Sequence, residues 1–221
     1  MHPLDPAYTC LLIVDLQHDF LEGGALAVPD SLKILQPIST LLNEKEHPFR
    51  LIVATQDWHP LDHVSFAKSH HGKQVLDVVS VSMEGREEKQ VLWPIHCVQE
   101  THGAEISSAI DVSRISHFVK KGTHSHIDSY SGFADNAYTQ FTSLPKLLFS
   151  NQISNVVVVG LALDYCVRAT CIDARKFGFR TVVVRDGTKA VRPDQAEEVE
   201  HELVKKGVEF VSLEDLIWKK E

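Results

Sequence analysis

Cysteine is scarce in this sequence and shows no pairing pattern: four residues, Cys10, Cys97, Cys166 and Cys171, are spread over 221 positions, none in C-x-x-C spacing. That excludes a disulfide framework and predicts free thiols. Long apolar runs are missing too, and nothing approaches the roughly 20 residues that a membrane-crossing helix needs. The formal charge is −8 and Lys/Arg residues do not cluster, which argues against a nucleic-acid partner, because phosphate binding needs a basic face. No G-x-G-x-x-G follows a strand-like run and no G-x-x-x-x-G-K-(S/T) occurs, so a dinucleotide or nucleotide-triphosphate binding module has no support. Linkers rich in Gly, Ser or Pro, internal repeats and shifts of composition are also absent, so residues 1–221 read as a single domain. The opening Met1-His-Pro-Leu-Asp-Pro6 has neither a basic start nor an apolar core. The expectation is an intracellular protein, cytoplasmic or alternatively nuclear or peroxisomal, without a membrane partner. Assembly into a homo-oligomer is left open.

What is present is a rhythm. Apolar runs without strict alternation recur at Cys10–Val14, Leu51–Ala54, His117–Val119, Val156–Val159, Thr181–Val184 and Val208–Val211, the pattern of strands buried on both faces. Amphipathic stretches with helical spacing lie between them, at Ser31–Glu46, Asp164–Phe177, Pro193–Lys206 and Ser212–Lys219. Strands alternating with helices predict a three-layer α/β/α fold around a parallel sheet. Asp30 or Ser31 and Pro193 mark helix starts, and Gly178 and Gly207 mark stops. The segment from Asp57 to Thr101 reads instead as a long, weakly periodic loop, a form that is functional or disordered in most domains.

Chemistry-bearing residues sit just past the strand-like runs. Asp15 follows Cys10–Val14, Lys121 follows His117–Val119, and Cys166 lies a few residues beyond Val156-Val-Val-Val-Gly160. In a parallel sheet these exits share one edge, where open α/β folds place their sites. A cysteine in the first turn of a helix feels a partial positive charge, which predicts a lowered thiol pKa and nearby backbone N–H groups free for an oxyanion. Asp15 could accept the thiol proton and Lys121 could stabilise both anions. Cys10, Cys97 and Cys171 read as small buried apolar residues.

A metal site is suggested by Asp57-Trp-His59, whose two side chains project to one side of an extended segment, and by His96 in Trp93-Pro-Ile-His96. One carboxylate and two imidazoles with water suit Zn²⁺, Fe²⁺ or Mn²⁺. His63 and Ser65 stand close enough in sequence to join the ligands or to orient them. Phe20, Trp93 and Tyr130 share loops with Asp15, His96 and Lys121, and together could make a slot for a flat ring.

These residues together resemble the isochorismatase-like cysteine hydrolases and, among them, the nicotinamidases of fungal type. The resemblance is carried by Val14-Asp-Leu-Gln-His-Asp-Phe20 with Gly24-Ala-Leu26, by Asp57-Trp-His-Pro-Leu-Asp-His63-Val-Ser-Phe66, by Trp93-Pro-Ile-His-Cys97, by Lys121-Gly122 and by Val159–Val167. It implies a six-stranded parallel sheet of Rossmann-like topology and a catalytic triad of Asp15, Lys121 and Cys166. It also implies a cis peptide at Leu161-Ala162, an oxyanion hole from the backbone N–H groups of Ala162 and Cys166, and a slot for nicotinamide. A divalent metal, with zinc first and iron or manganese as alternatives, would sit on Asp57, His59 and His96 near the ring nitrogen. A hydrolase for isochorismate, a carbamoyl group or another amide is the rival on the same scaffold, and many relatives of that kind lack the D-x-H…H loop. The charged stretch Met83–Gln90 has no counterpart among these motifs.

Overall fold

Eight strands follow one another in the computed structural model, which describes residues 2–43, 45–83 and 86–219. They are β1 (Thr9–Val14), β2 (Leu51–Asp57), β3 (Val78–Met83), β4 (Arg86–Val91), β5 (His117–Lys121), β6 (Asn155–Leu161), β7 (Arg180–Lys189) and β8 (Glu209–Val211). Six of them form one sheet in the order β5-β2-β1-β6-β7-β8, with every neighbouring pair parallel. All six apolar runs of the sequence are strands of this sheet. The central β1 is buried at each of its positions, as a strand covered on both faces must be.

The two-residue period of a strand divides the core. Leu11 and Ile13 face one layer with Ile34, Ile38 and Leu41, while Leu12 and Val14 face the other with Leu144, Leu148, Val167 and Cys171. Helix α1 (Leu35–Leu41) covers the first face; α2 (Leu144–Ser150), α3 (Arg168–Lys176) and α4 (Ala196–Lys205) pack on the second. This is the three-layer arrangement expected from the sequence.

The helices are shorter than their amphipathic stretches. Ser31–Ile34 and Pro193–Gln195 are 3₁₀ turns that lead into α1 and α4, and Leu163–Val167 is a π turn that leads into α3. Gly178 and Gly207 follow the ends of α3 and α4 as expected. Ser212–Lys219 is not a helix. Its backbone bonds outward: Leu213 N donates to the Asp186 carboxylate, Ile217 O accepts from Leu4 N, and Lys219 N donates to Leu4 O. An extended tail pairing with the N-terminal segment satisfies those groups better than a short, isolated turn of helix would.

Asp57–Thr101 also departs from the loop reading, because it contains the antiparallel β3–β4 hairpin. Val79, Val81 and Leu92 of this region bury a small core of their own with Ala67. Of the charged stretch Met83–Gln90, Glu84 and Gly85 lie outside the described residues. No helix among the described residues is long and apolar enough to cross a membrane.

Candidate active site

Parallel register brings the strand exits together. Asp57 of β2 lies opposite Lys121 of β5, and Val14 of β1 lies opposite Gly160 of β6. Gly160 has φ +112°, and a Cβ there would fall 2.0 Å from the carbonyl oxygen of Val14. Only glycine lets β6 approach β1 this closely at its end. Past Leu161 the chain turns through a cis peptide to Ala162, and the π turn carries Cys166 over the end of β1.

Lys121 is the hub. Its side chain is fully buried, and the ammonium lies 2.9 Å from Asp15 Oδ2, 2.5 Å from Asp57 Oδ1, 2.9 Å from Ser129 O and 3.3 Å from Cys166 Sγ. Burial disfavours its charge, but the carboxylates of Asp15 and Asp57 outweigh burial and hold the amine protonated. Burial also opposes the charge on Asp57, yet Lys121 and His59 keep its carboxyl well below the usual range. Asp15 goes the other way. Burial pushes its pKa up despite Lys121 and the Thr55 hydroxyl, which donates to Asp15 Oδ1 at 2.6 Å.

The Cys166 thiol departs from the lowered pKa predicted from a helix N-terminus. Burial pushes it well up, and Lys121 opposes this only in part. The physical reason is local: Cys166 is enclosed, sits beside two carboxylates, and lies in the π turn before α3 begins at Arg168. The resting group is therefore a thiol. Beside it, Asp15 Oδ2 is buried and has no hydrogen-bond donor of good geometry among the described residues, while ligating atoms of Asp15, Asp57 and Cys166 lie within 4.8 Å of one another.

The other half of the site gathers Asp57, His59 and His96, whose donor atoms also lie within 4.8 Å of one another. Asp57 Oδ2 is 3.6 Å from His59 Nε2 and 3.9 Å from His96 Nε2. His59 Nδ1 donates to Gly122 O and His96 Nδ1 donates to Pro94 O, both at 2.8 Å. Those carbonyls fix the tautomers that leave both Nε2 lone pairs facing Asp57. Burial, reinforced by the neighbouring His59, pushes His96 down to about 4, so it is a neutral imidazole at pH 7. Burial disfavours a charge on His59, but Asp57 outweighs burial and pulls the His59 pKa up; a metal ion would take the place of that proton. A carboxylate oxygen and two imidazole nitrogens, held from behind by carbonyls, are a donor set that fits a divalent cation.

His63 and Ser65 are not gathered with Asp57 and His96. His63 Nδ1 and Ser65 Oγ bond to each other at 2.7 Å, and His63 stacks on His59 with ring centroids 4.0 Å apart. His63 groups instead with His59 and Asp128.

Phe20, Trp93 and Tyr130 line one cleft above Cys166, together with Leu26, Tyr165 and Val191. Tyr165 meets Trp93 edge-on at 4.8 Å and Tyr130 at 5.6 Å. Sequence reasoning gave no role to Tyr165 or Val191, nor to the residues that hold the site in place. Gln17 bonds Asp57 in both directions, Oε1 accepting from its N–H and Nε2 donating to its C=O, each at 2.8 Å. Asp19 accepts from Cys97 N at 2.7 Å, and Asp164 accepts from Val191 N and Arg192 N at 2.9 Å each. Gln17, Asp19 and Asp164 stand within the recognised motifs, which was the signal that could have found them.

Comparison with known proteins adds to this geometry. The Isochorismatase domain family matches residues 9–215. A nicotinamidase of Acinetobacter baylyi is 39% identical over 210 residues, covering 94% of each chain. The solved yeast nicotinamidase bound to the inhibitor nicotinaldehyde superposes with a TM-score of 0.89 at 32% identity, over 92% of this chain and 99% of that one. A pyrazinamidase of Pyrococcus horikoshii in complex with zinc gives 0.75 at 35% identity, over 93% and 99%. The likeness to bacterial members is thus at least as strong as that to the fungal one.

Proposed function

This chain belongs to the isochorismatase family, and we propose that it is a nicotinamidase: a single hydrolase domain over residues 1–221 that converts nicotinamide to nicotinate and ammonia through a thioester on Cys166, in NAD salvage. The observation that carries the reading is the buried Asp15 Oδ2, ion-paired with Lys121 at 2.9 Å and set beside a protonated thiol beneath an aromatic slot, with Lys121 joining both to Asp57.

Asp15 Oδ2 takes the proton from Cys166 Sγ as sulfur attacks the carboxamide carbon. Its raised pKa makes it a stronger base than an ordinary carboxylate. The backbone N–H groups of Ala162 and Cys166 receive the oxyanion, Asp15 returns the proton to the departing ammonia, and the same carboxylate then activates the water that cleaves the thioester. Lys121 keeps its proton throughout and balances whichever of Asp15 and Cys166 is anionic. Phe20, Trp93, Tyr130 and Tyr165 hold the pyridine ring. Asp57, His59 and His96 would hold a divalent cation, zinc in line with the archaeal relative, which when bound supplies a Lewis acid for the ring nitrogen.

The test is ammonia release by purified, metal-analysed protein given nicotinamide and a panel of other small amides, with Cys166→Ala alongside. Rapid turnover of nicotinamide that is lost in the variant is the expected result. Turnover of a different amide would overturn the pyridine reading, and normal activity in Cys166→Ala would overturn the thioester.

A further inference from the structure

The charged stretch Met83–Gln90 stands out in the sequence, and the proposed mechanism does not use it. Its last residue behaves unlike the rest. Glu87, Glu88 and Lys89 of β4 are exposed, whereas Gln90 is 1% exposed and turns inward. Its Nε2 donates to Asp128 Oδ2 at 2.9 Å, to the Tyr130 hydroxyl oxygen at 3.3 Å and to its neighbour Val91 O at 2.8 Å. Its Oε1 is buried without a partner. An amide kept dry at this cost holds its place only where its N–H groups are needed.

Those N–H groups meet both ends of a three-residue segment. Asp128 is 3% exposed, and its carboxylate accepts only from Ser129 N and Gln90 Nε2 among the described residues. Tyr130 is a wall of the slot, and its hydroxyl oxygen also accepts from Trp93 Nε1, the next wall, at 3.2 Å. Gln90 and Trp93 thus hold Tyr130 by one oxygen atom. Between Asp128 and Tyr130, Ser129 O takes Lys121, but Lys121 is also anchored by Asp15 and Asp57. Tyr130 has no comparable reserve, since its other polar tether is the backbone bond from its N–H to Asn136 Oδ1.

We propose that Gln90 is a positioning residue of the substrate slot, fixing the Trp93–Tyr130 wall from behind through the Tyr130 hydroxyl and the Asp128 carboxylate. The inference rests on the reading of the cleft as the site of a flat aromatic amide. It gives the β3–β4 hairpin a role: the strand is the brace of the wall.

The test uses Gln90→Met, which keeps the side chain's length and removes its donors, with Tyr130→Phe and the double variant. For each, KM and kcat for nicotinamide are measured, together with the indole N–H resonance of Trp93 in the ligand-free protein. The expected result is a KM raised about tenfold with kcat within about twofold, a displaced Trp93 resonance, and a KM rise on adding Gln90→Met to Tyr130→Phe that is smaller than the rise Gln90→Met causes alone. A folded Gln90→Met protein with unchanged KM and an unmoved Trp93 signal overturns the proposal. If Gln90→Met does not fold, Tyr130→Phe alone decides, because an unchanged KM there removes the hydroxyl through which Gln90 is argued to act. If the wild type leaves nicotinamide untouched yet Gln90→Met shifts Trp93, the substrate assignment falls and the brace stands.

Discussion

The site has two halves built by different means. Asp15, Asp57 and Lys121 hang from strand ends and Cys166 from the turn after β6, so their spacing follows from parallel register. The slot and the imidazoles come from irregular chain, and their spacing follows from side chains that bond to backbone: Asp19 on Cys97, Asp164 on Val191, His59 on Gly122 and His96 on Pro94. A sheet fixes geometry cooperatively, through many ladder bonds, whereas a loop fixed by single bonds can be loosened one contact at a time. Substitutions in the strand-end half should therefore remove chemistry, and those in the loop half should weaken binding and leave chemistry largely in place.

The sharpest separation is expected from Cys166→Ala, which should lower kcat by at least about a thousandfold while nicotinamide protection against thermal unfolding persists. Lys121→Met should be nearly as damaging and should also destabilise the fold by about 3–5 kcal/mol, because two buried carboxylates lose their cation; urea unfolding measures this. A Lys121→Met protein as stable as the wild type would break the account of the hub. On the loop side, exhaustive chelation with metal content verified should depress binding and turnover while the circular dichroism spectrum is retained. Tyr165→Ala should raise KM about tenfold with a smaller change in kcat. The smallest effect concerns pH. His63, buried and beside His59, is pushed down from 6.5 to about 4. Its neutral form is the folded one, so the unfolded chain binds more protons below about 6.5. Metal-free protein should lose stability as pH falls from about 6.5 towards 4 and be flat above that window with respect to this group, and His63→Gln should reduce the slope of melting temperature against pH.

The same contrast explains what was legible in the sequence. Each of the six sheet strands announces itself as an apolar run, and the residue at a strand's exit can be placed at a sheet edge by topology alone. The convergence of Asp15, Lys121 and Cys166 was readable for that reason. The ionisation state of Cys166 was not, because helix position is a local cue and enclosure between two carboxylates is a tertiary fact. The β3–β4 hairpin was hidden because Glu87, Glu88 and Lys89 put charge on both faces of β4 and the hairpin buries only a small core. The tail Ser212–Lys219 kept helical spacing but found its hydrogen bonds on Leu4 and Asp186, partners some 27 or more positions away. Gln17 was missed because its partner is the backbone of Asp57, and Gln90 because its side-chain partners lie 38 and 40 positions away; neither kind of bond leaves a periodic mark.

One ammonium serves both halves, and this makes two common experiments inequivalent. Stripping the cation leaves Asp57 in place, still competing with Asp15 for Lys121. Replacing Asp57 by asparagine removes that competitor, so Asp15 inherits the whole of the lysine's charge and becomes a weaker base. On the proposed roles an Asp57 variant is thus a double lesion, and reading it as a ligand variant alone would credit the metal with losses that belong to Asp15. The gap between the chelated enzyme and Asp57→Asn, in turnover at a fixed pH, is itself a measure of how far one buried charge is shared.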